Sequence, residues 1–255
     1  MNVDSKRFAF GRQKVPAQHT RSRRQKAYAS AKKGVILLSG GIDSTTTLYF
    51  AKKYSYWLFA LIFDYNQRHK KEIECAKRIA HLNNIRYHIV RLDLSWAQSS
   101  LTDRTMRVPF HRDLEKREIP STYVAGRNII FLSYAFSLAE SIGAEKIFIG
   151  AHAQDYSGYP DCRPEFLGSF QHAVNSGLRR KGIEIVTPLI DKTKKEIVEL
   201  GVALKVPFQY TWSCYMGRDL VCGRCDSCRF RISAFRKCGL EDPLLKKTRK
   251  EQHEK

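Results

Sequence analysis

The sequence lacks the features of a membrane or secreted protein. No apolar run reaches the roughly twenty residues that span a bilayer, and the N-terminal segment has no apolar core of a signal peptide. Acidic residues are scarce, since 25 Asp and Glu stand against 45 Lys and Arg and give a formal net charge of +20. With 255 residues, 43% of them hydrophobic, the chain can bury a sizeable core. These features predict a cytoplasmic protein without a membrane partner.

Much of the excess basic charge lies at the two ends. Residues 1–33 contain ten Lys and Arg against the single acid Asp4, and residues 244–255 add further basic charge. Basic segments attract phosphates, but no pattern of interleaved aromatic residues for base stacking accompanies these. We therefore interpret residues 1–33 as a flexible basic extension and 244–255 as a basic tail. A nucleic-acid contact through the extension is the alternative.

The seven cysteines favour a metal site. Without an export signal a disulfide framework is not expected. Four of the cysteines follow the spacing Cys-x7-Cys-x2-Cys-x2-Cys, which suits a closed, tetrahedral zinc site of structural type; an iron–sulfur cluster is the alternative. The predicted ligands are Cys214, Cys222, Cys225 and Cys228.

Short apolar runs alternate with segments of helical periodicity, which predicts an α/β fold with a doubly wound parallel sheet of Rossmann-like type. Residues 34–210 would form this nucleotide-binding domain, and residues 211–243 a C-terminal zinc-binding knuckle and helix. Two long connections, 92–126 and 151–182, are predicted to be irregular and to wall a ligand site at the carboxyl edge of the sheet. The predicted strands are 35–38, 57–63, 87–90, 146–149 and 183–186, and the predicted helices 45–53, 70–82, 129–142 and 193–200.

A glycine loop follows the first predicted strand, with the sequence Ser-Gly-Gly-Ile-Asp-Ser at 39–44. Two glycines allow a tight turn whose N–H groups approach an anion, and Ser44 and Thr45 stand at a helix N-terminus, which favours phosphate. Asp43 would orient the loop or help to hold magnesium. The Gly-Lys-Ser/Thr ending of the common P-loop is missing. The loop instead resembles the pyrophosphate loop of the ATP pyrophosphatase family, whose members adenylate a carboxylate, amide or carbonyl oxygen.

Five further segments extend the likeness: 63–69, 123–128, 155–166, 187–194 and 211–215. With the loop and the cysteines, they resemble the 7-cyano-7-deazaguanine synthase (QueC) family of queuosine and archaeosine biosynthesis. The resemblance implies that 7-carboxy-7-deazaguanine and ammonia become a nitrile through an adenylated carboxylate and an amide. It also implies ATP, Mg²⁺ and Zn²⁺ as cofactors and a homodimer.

The resemblance also implies roles for individual residues, and for His69 and His152 we weigh proton transfer against a structural role. The expected catalytic residues are Asp43, Ser44, Arg127 and Arg163. The expected ATP-binding residues are Leu38, Ser39, Gly40, Gly41, Ile42, Asp43, Ser44, Thr45, Thr46, Thr47, Leu48 and Phe63. The expected substrate-binding residues are Asp155, Tyr156, Tyr159, Asp161, Arg163 and Glu165.

Three alternatives stay open. The first is a tRNA-modifying enzyme of the same loop family, such as a thiolase or a lysidine-forming ligase. The second is a relative that joins the activated deazaguanine to an amine other than ammonia, which the extension and the departures from the family pattern at Ser121 and Ala125 leave open. The third is a non-catalytic zinc-ribbon module, against which the intact glycine loop argues.

Overall fold

A five-stranded parallel sheet forms the centre of the chain. The computed structural model describes residues 32–54, 56–110, 119–152, 159–216 and 220–246. The strand order is β3-β2-β1-β4-β5, and every neighbouring pair is parallel. The strands are β1 (Lys33–Leu37), β2 (Trp57–Asp64), β3 (Arg86–Arg91), β4 (Lys146–Phe148) and β5 (Glu184–Val186).

Helices cover both faces of this sheet, because successive side chains of a strand point to opposite faces. Along β1, Val35 packs into the core that contains Phe136 and Leu167, whereas Ile36 packs into the core that contains Leu48 and Ile79. The prediction of a doubly wound α/β fold is confirmed. The helices are α1 (Ile42–Lys53), α2 (Lys71–Leu82), α3 (Arg127–Ile142), α4 (Pro164–Gly177), α5 (Lys194–Ala203) and α6 (Asp226–Lys237).

The connectivity creates a ligand crevice beside the central strand. The chain proceeds from β1 to β2 and β3 on one side and then returns to β4 on the other side of β1. In open α/β sheets, ligands bind beyond the carboxyl ends of the strands at such a switch point. A Cβ atom at Gly150 would lie 3.0 Å from the carbonyl carbon of Asp43, so glycine lets the chain after β4 approach the loop after β1 closely.

One expectation from the sequence is wrong. The sequence predicts an irregular connection over 151–182, but Pro164–Gly177 form helix α4. Pro164 occupies the first helical position, where its fixed φ suits a helix start. Leu167 is buried, and Phe170 and Val174 pack partly against the same core, so the apolar side chains do follow a helical spacing. The polar and glycine residues between them hide that spacing in the sequence.

The ends of the chain remain matters of prediction. The described residues between 32 and 246 form one compact unit, and β1 begins at Lys33, inside the predicted extension. Residues 1–31 and 247–255 lie outside the described residues, so the roles expected for the basic extension and tail stay predictions. Within the described ranges, no helix combines the length and hydropathy needed to cross a membrane.

Candidate active site

The glycine loop, residues 39–44, joins β1 to α1 in a conformation that only glycine tolerates. Gly40 has a φ of +80°, in the left-handed region. A Cβ atom there would lie 2.5 Å from the carbonyl oxygen of Glu72 and 2.6 Å from the backbone N of Ala76. The first turn of α2 therefore packs directly on the loop, and any side chain at position 40 would push the two apart.

Serine hydroxyls close the loop. The N–H of Ser39 donates to Oγ of Ser44 over 3.2 Å, and the two serine Oγ atoms lie 3.0 Å apart. The N-cap residue of α1 is Gly41, and no side chain caps this helix. The start of α1 thus offers backbone N–H groups and the positive end of its dipole to an anion.

Asp43 lies between two groups from distant parts of the chain. Its Oδ2 is 2.7 Å from Nζ of Lys194 and 3.8 Å from Nε2 of His152. Burial alone would raise the pKa of Asp43, but the charges of Lys194 and His152 act in the opposite direction, and the pKa falls below its ordinary value. The other oxygen, Oδ1, is buried and has no hydrogen-bond partner among the described residues. An ionised carboxylate with one unpartnered oxygen suits Mg²⁺, which prefers oxygen ligands.

A cavity of about 240 Å³ opens at this edge of the sheet. Its walls come from the glycine loop, the end of β2, the first turns of α2 and α3, the residues after β4, and the segment around Trp212. Of the residues predicted to bind ATP, five have side chains or backbone on the wall besides Asp43: Leu38, Ser39, Gly41, Ser44 and Phe63.

The other predicted ATP-binding residues lie behind the cavity wall. Ile42 and Leu48 pack into the hydrophobic cores on either side of α1. Thr45, Thr46 and Thr47 are fully buried within the same helix. Their hydroxyl oxygens have no hydrogen-bond partner among the described residues. These residues therefore anchor α1 and support the loop, as Gly40 does, instead of facing the cavity.

Arg127 faces the cavity from the first turn of α3. Its Nη1 lies 3.4 Å from the hydroxyl of Tyr65, which is itself buried. Burial would lower the pKa of Arg127, but Tyr65, Tyr159 and Asp161 together raise it, so the guanidinium keeps its charge. Burial raises the pKa of Tyr65 to about 12, so its phenol stays neutral. The cavity thus holds a fixed positive charge opposite the glycine loop.

The residues predicted to bind the substrate are only partly brought together. Tyr159 lines the cavity, and its hydroxyl lies 3.1 Å from Oγ1 of Thr122. Asp161 is buried, and its Oδ2 accepts the backbone N–H of Asn128 over 2.9 Å, which caps the start of α3. Arg163 and Glu165 are exposed at the start of α4 and do not line the cavity. Asp155 and Tyr156 lie outside the described residues.

Sequence reasoning missed Lys194, which is 151 residues from Asp43 in the chain. It stands at the first position of α5, after the capping box formed by Thr193 and Glu196. A helix dipole disfavours a cation at that end. A lysine at a predicted helix start, inside a segment shared with a family, is therefore a usable signal for a functional side chain.

The two histidines occupy different surroundings. His152 is buried beside Asp43. His69 lines the cavity and is also buried, with Nε2 3.1 Å from Oε2 of Glu72. Proton transfer by either histidine stays a prediction.

The four predicted metal ligands converge. Their Sγ atoms all lie within 4.8 Å of one another, and those of Cys222 and Cys228 are 3.9 Å apart. A tetrahedron with Zn–S bonds of about 2.3 Å has sulfur–sulfur distances of about 3.8 Å. The cluster therefore fits a tetrahedral zinc ion.

This cluster is physically joined to the glycine loop. The backbone N–H of Trp212 donates to the carbonyl of Gly40 over 2.9 Å, and its indole N–H donates to the carbonyl of Cys214 over 2.9 Å. Arg231, buried in α6, forms a bidentate ion pair with Asp242 over 2.7 and 2.8 Å. The same guanidinium donates to Oγ1 of Thr211, the neighbour of Trp212, over 2.7 Å. The segment that leads into the cluster thus supports the loop.

Comparison with known proteins agrees with the sequence resemblance. The profile of the family described as "Queuosine biosynthesis protein QueC" matches residues 33–239. A 7-cyano-7-deazaguanine synthase of Trichodesmium erythraeum is 49% identical over 221 residues, which are 84% of this chain and 100% of that protein. A 7-cyano-7-deazaguanine synthase of Clostridium kluyveri is 48% identical over 227 residues, 86% of this chain and 100% of that protein.

Among solved structures, NMN synthetase from Francisella tularensis superposes with a TM-score of 0.47 at 17% identity, covering 86% of this chain and 82% of that one. This similarity is too low to bear on fold or function.

The parallel sheet, the glycine loop at its switch point and the four-cysteine cluster define an α/β protein of the nucleotide-binding class. Within that class, the family match and the near-complete coverage of its relatives make the assignment specific. The chain belongs to the QueC family.

Proposed function

We propose that this chain catalyses the reaction named in its relatives, the synthesis of 7-cyano-7-deazaguanine. In this proposal 7-carboxy-7-deazaguanine, ammonia and ATP are the substrates. One observation carries the proposal: the chain is 49% identical to a named synthase across the full length of that protein. The chain also keeps a glycine loop in which Oδ1 of Asp43 has no hydrogen-bond partner among the described residues. Ammonia as the nitrogen donor and a homodimer come from the family resemblance, and a cytoplasmic location is the prediction from the sequence composition.

A carboxylate oxygen is a poor leaving group, so the reaction first has to convert it into a good one. A carboxylate oxygen of the substrate attacks the α-phosphorus of ATP, and pyrophosphate leaves. Ammonia then attacks the acyl carbon, and AMP leaves to give the amide. A second ATP activates the amide oxygen in the same way, and loss of AMP with the remaining amide protons gives the nitrile. One active site therefore has to bind ATP for two successive activations.

The residues around the glycine loop fit these steps. The N–H groups at the start of α1 and the ammonium of Lys194 would bind the phosphates that leave as pyrophosphate. Oδ1 of Asp43 would be a ligand for Mg²⁺, which when bound shields the phosphate charge. Arg127, across the cavity, would stabilise negative charge on the α-phosphate or on the leaving group.

The cysteine cluster has a structural part in this proposal. Its four sulfurs would hold Zn²⁺ in a closed site, with no ligand position left for substrate. The bound ion would fix the segment from Thr211 to Cys214, and through Trp212 the backbone of the glycine loop. A tRNA thiolase would need catalytic cysteines. These four contact each other, and Cys162, on the cavity wall, accepts a hydrogen bond from Nδ2 of Asn128 over 3.1 Å.

Mass spectrometry of the products tests the proposal. The purified protein would be incubated with 7-carboxy-7-deazaguanine, ATP, Mg²⁺ and ammonium, with a matched reaction that lacks ammonium. We expect the nitrile, AMP and pyrophosphate, and no nitrile without ammonium. Accumulation of an amide that is joined to another amine would favour the amine-ligating relative. Absence of any ATP turnover would contradict the proposal.

A further inference from the structure

The cavity has two carboxylates on its wall within the described part of the chain, Asp43 and Glu72. They have different partners. Asp43 is paired with the ammonium of Lys194 over 2.7 Å. Within the described ranges no Lys or Arg lies within ion-pair distance of Glu72, whose carboxylate contacts the side chains of Gln67 and His69. Unlike Asp43, the Glu72 carboxylate therefore has no lysine or arginine partner among the described residues.

Its position is fixed by buried groups. Gln67 is fully buried, and its Oε1 accepts the N–H of Tyr65 over 2.8 Å. The Nε2 of Gln67 donates to the carbonyl of Phe63 over 3.1 Å and to Oε1 of Glu72 over 2.9 Å. His69 is also buried, and its Nε2 lies 3.1 Å from the other oxygen, Oε2. The loop that follows β2 thus holds the Glu72 carboxylate in one orientation before any ligand binds.

The carboxylate keeps capacity for a ligand. An ionised carboxylate has about four acceptor positions on its two oxygens. Gln67 and His69 occupy one position on each oxygen. One acceptor position on each oxygen therefore remains, and the Glu72 side chain, which is 15% exposed, lines the cavity. Two parallel acceptors match a ligand with two neighbouring N–H donors.

We propose that Glu72 binds the pyrimidinone edge of the deazaguanine, accepting from its N1–H and its 2-amino group. This assignment rests on the proposed function and names the residue that selects a guanine-like ring. The backbone carbonyl of Glu72 packs against Gly40 of the glycine loop, so a heterocycle bound to this side chain lies beside the phosphate-binding residues. The sequence pattern offers three other carboxylates for this role: Asp161 caps α3, Glu165 is exposed outside the cavity, and Asp155 lies outside the described residues.

The test compares Glu72→Gln with Glu74→Gln, two residues apart on the same helix. Glu74 is 68% exposed and pairs with Lys77, so its change controls for loss of charge on α2. An amide at position 72 would present an N–H₂ group either to the donors of Gln67 and His69 or to the ligand. We expect the KM for 7-carboxy-7-deazaguanine to rise about ten- to a hundredfold in Glu72→Gln, with the KM for ATP and the melting temperature close to those of Glu74→Gln.

A substrate analogue without the 2-amino group gives a second readout. The wild type should bind the analogue about tenfold more weakly than the substrate, and Glu72→Gln should no longer distinguish the two. If Glu72→Gln does not fold, Glu72→Asp replaces it, because it keeps the charge but withdraws the carboxylate from the ligand. Its discrimination between the two compounds should fall in the same direction.

Several results would overturn the assignment. A raised KM for ATP with an unchanged KM for the deazaguanine would place the ribose hydroxyls of ATP on Glu72 instead. Unchanged discrimination in a folded Glu72 variant would remove the residue from recognition altogether. These failures differ from failure of the proposed function, because in that case the wild type itself would not convert 7-carboxy-7-deazaguanine.

Discussion

The glycine loop and the cysteine cluster are both short motifs, but the structure completes them in different ways. The four sulfurs of the cluster come from fifteen consecutive residues and contact one another. The loop depends on distant residues: Lys194 contacts Asp43 from the start of α5, and Trp212 binds the carbonyl of Gly40. Oδ1 of Asp43 has no partner among the described residues. The cluster is thus a closed structural site, whereas the loop keeps an unpartnered carboxylate oxygen and the backbone N–H groups at the start of α1 for a ligand.

Loss of the cluster should have the largest effect if it supports the loop. We expect Cys225→Ser to lose bound zinc and about 4 kcal/mol or more of the free energy of unfolding, because a metal site contributes its binding energy to folding. Cys238→Ser is the control, since Cys238 lies outside the cluster; it should change stability by less than about 0.5 kcal/mol. Metal analysis and thermal unfolding measure both.

Cys225→Ser also tests whether the cysteine cluster supports the glycine loop or merely lies near it. At a temperature where Cys225→Ser remains folded, its affinity for ATP should fall, because Trp212 no longer holds Gly40 in place. Unchanged ATP affinity in a zinc-free, folded protein would show that the cluster and the loop are independent.

Activity at the glycine loop should be most sensitive to loss of Lys194, the cation that contacts Asp43 from the start of α5. We expect Lys194→Met to lower kcat/KM about a hundredfold, or about 2.7 kcal/mol of transition-state stabilisation, because it removes a positive charge beside the leaving phosphates. Lys195→Met is the control, because within the described residues Lys195 pairs with Glu199 on the surface of the same helix. Equal activities of the two variants in a steady-state pyrophosphate assay would argue against a role for Lys194.

Arg231 tests the connection between the two regions. Arg231→Lys should lower the free energy of unfolding by about 2 kcal/mol, because lysine cannot reproduce the bidentate pair with Asp242 and the bond to Thr211. Arg236→Lys, on the exposed side of α6, is the matched control. Denaturant unfolding of both variants gives the difference. A loss of less than about 0.5 kcal/mol would mean that this network does not stabilise the segment.

Asp161 distinguishes a structural carboxylate from a substrate-binding one. Asp161→Ala should cost about 1 kcal/mol through loss of the cap on α3, with little change in the KM for the deazaguanine. Glu165→Ala, in an exposed position of the same segment, should change neither quantity. A raised KM in either variant, measured beside its unfolding curve, would restore the role predicted from the sequence.

The smallest effect concerns pH. Because the pKa of Asp43 is lowered in the folded protein, its pair with Lys194 stabilises the fold at pH values above the ordinary aspartate pKa of 3.8. As the pH falls below that value towards the lower pKa of the folded state, the unfolded chain binds the proton first and the contribution disappears. The difference in unfolding free energy between wild type and Lys194→Met should therefore stay constant from neutral pH to about pH 5 and shrink in more acidic buffer. A difference that grows on acidification would contradict the assigned ion pair.

The sequence predicts the features of the fold that depend on interactions between residues close together in the chain. The apolar run of β1, the glycine loop and the cysteine spacing each depend on residues near in the chain, and the structure confirms their folds. The apolar periodicity of α4 was obscured, because Gly168 and polar residues lie between Phe166, Leu167 and Phe170. Pro164, at the first position of the helix, is the local signal in the sequence that indicates a helix start here.

Which residues form the site is harder to predict from the sequence, because contacts between distant parts of the chain bring them together. The neighbours of Asp43 arrive from α5 and from the chain after β4, and only the strand order brings them together. The sequence offers no sign that Asp161 caps a helix 33 residues away, or that Glu72 faces the cavity. A motif therefore predicts ligand binding for all of its residues, although several of them, such as Thr46, are buried in α1 and stabilise the loop without facing the cavity.

The central claim is that the glycine loop serves adenylation of a carboxylate. The most direct test supplies 7-carboxy-7-deazaguanine labelled with ¹⁸O in both carboxylate oxygens, together with ATP, Mg²⁺ and ammonium, and analyses the nucleotide product by mass spectrometry. The account predicts that AMP carries ¹⁸O from the substrate and that each nitrile is accompanied by two AMP molecules. Release of ADP, or of AMP without the label, would contradict activation of the carboxylate by adenylation.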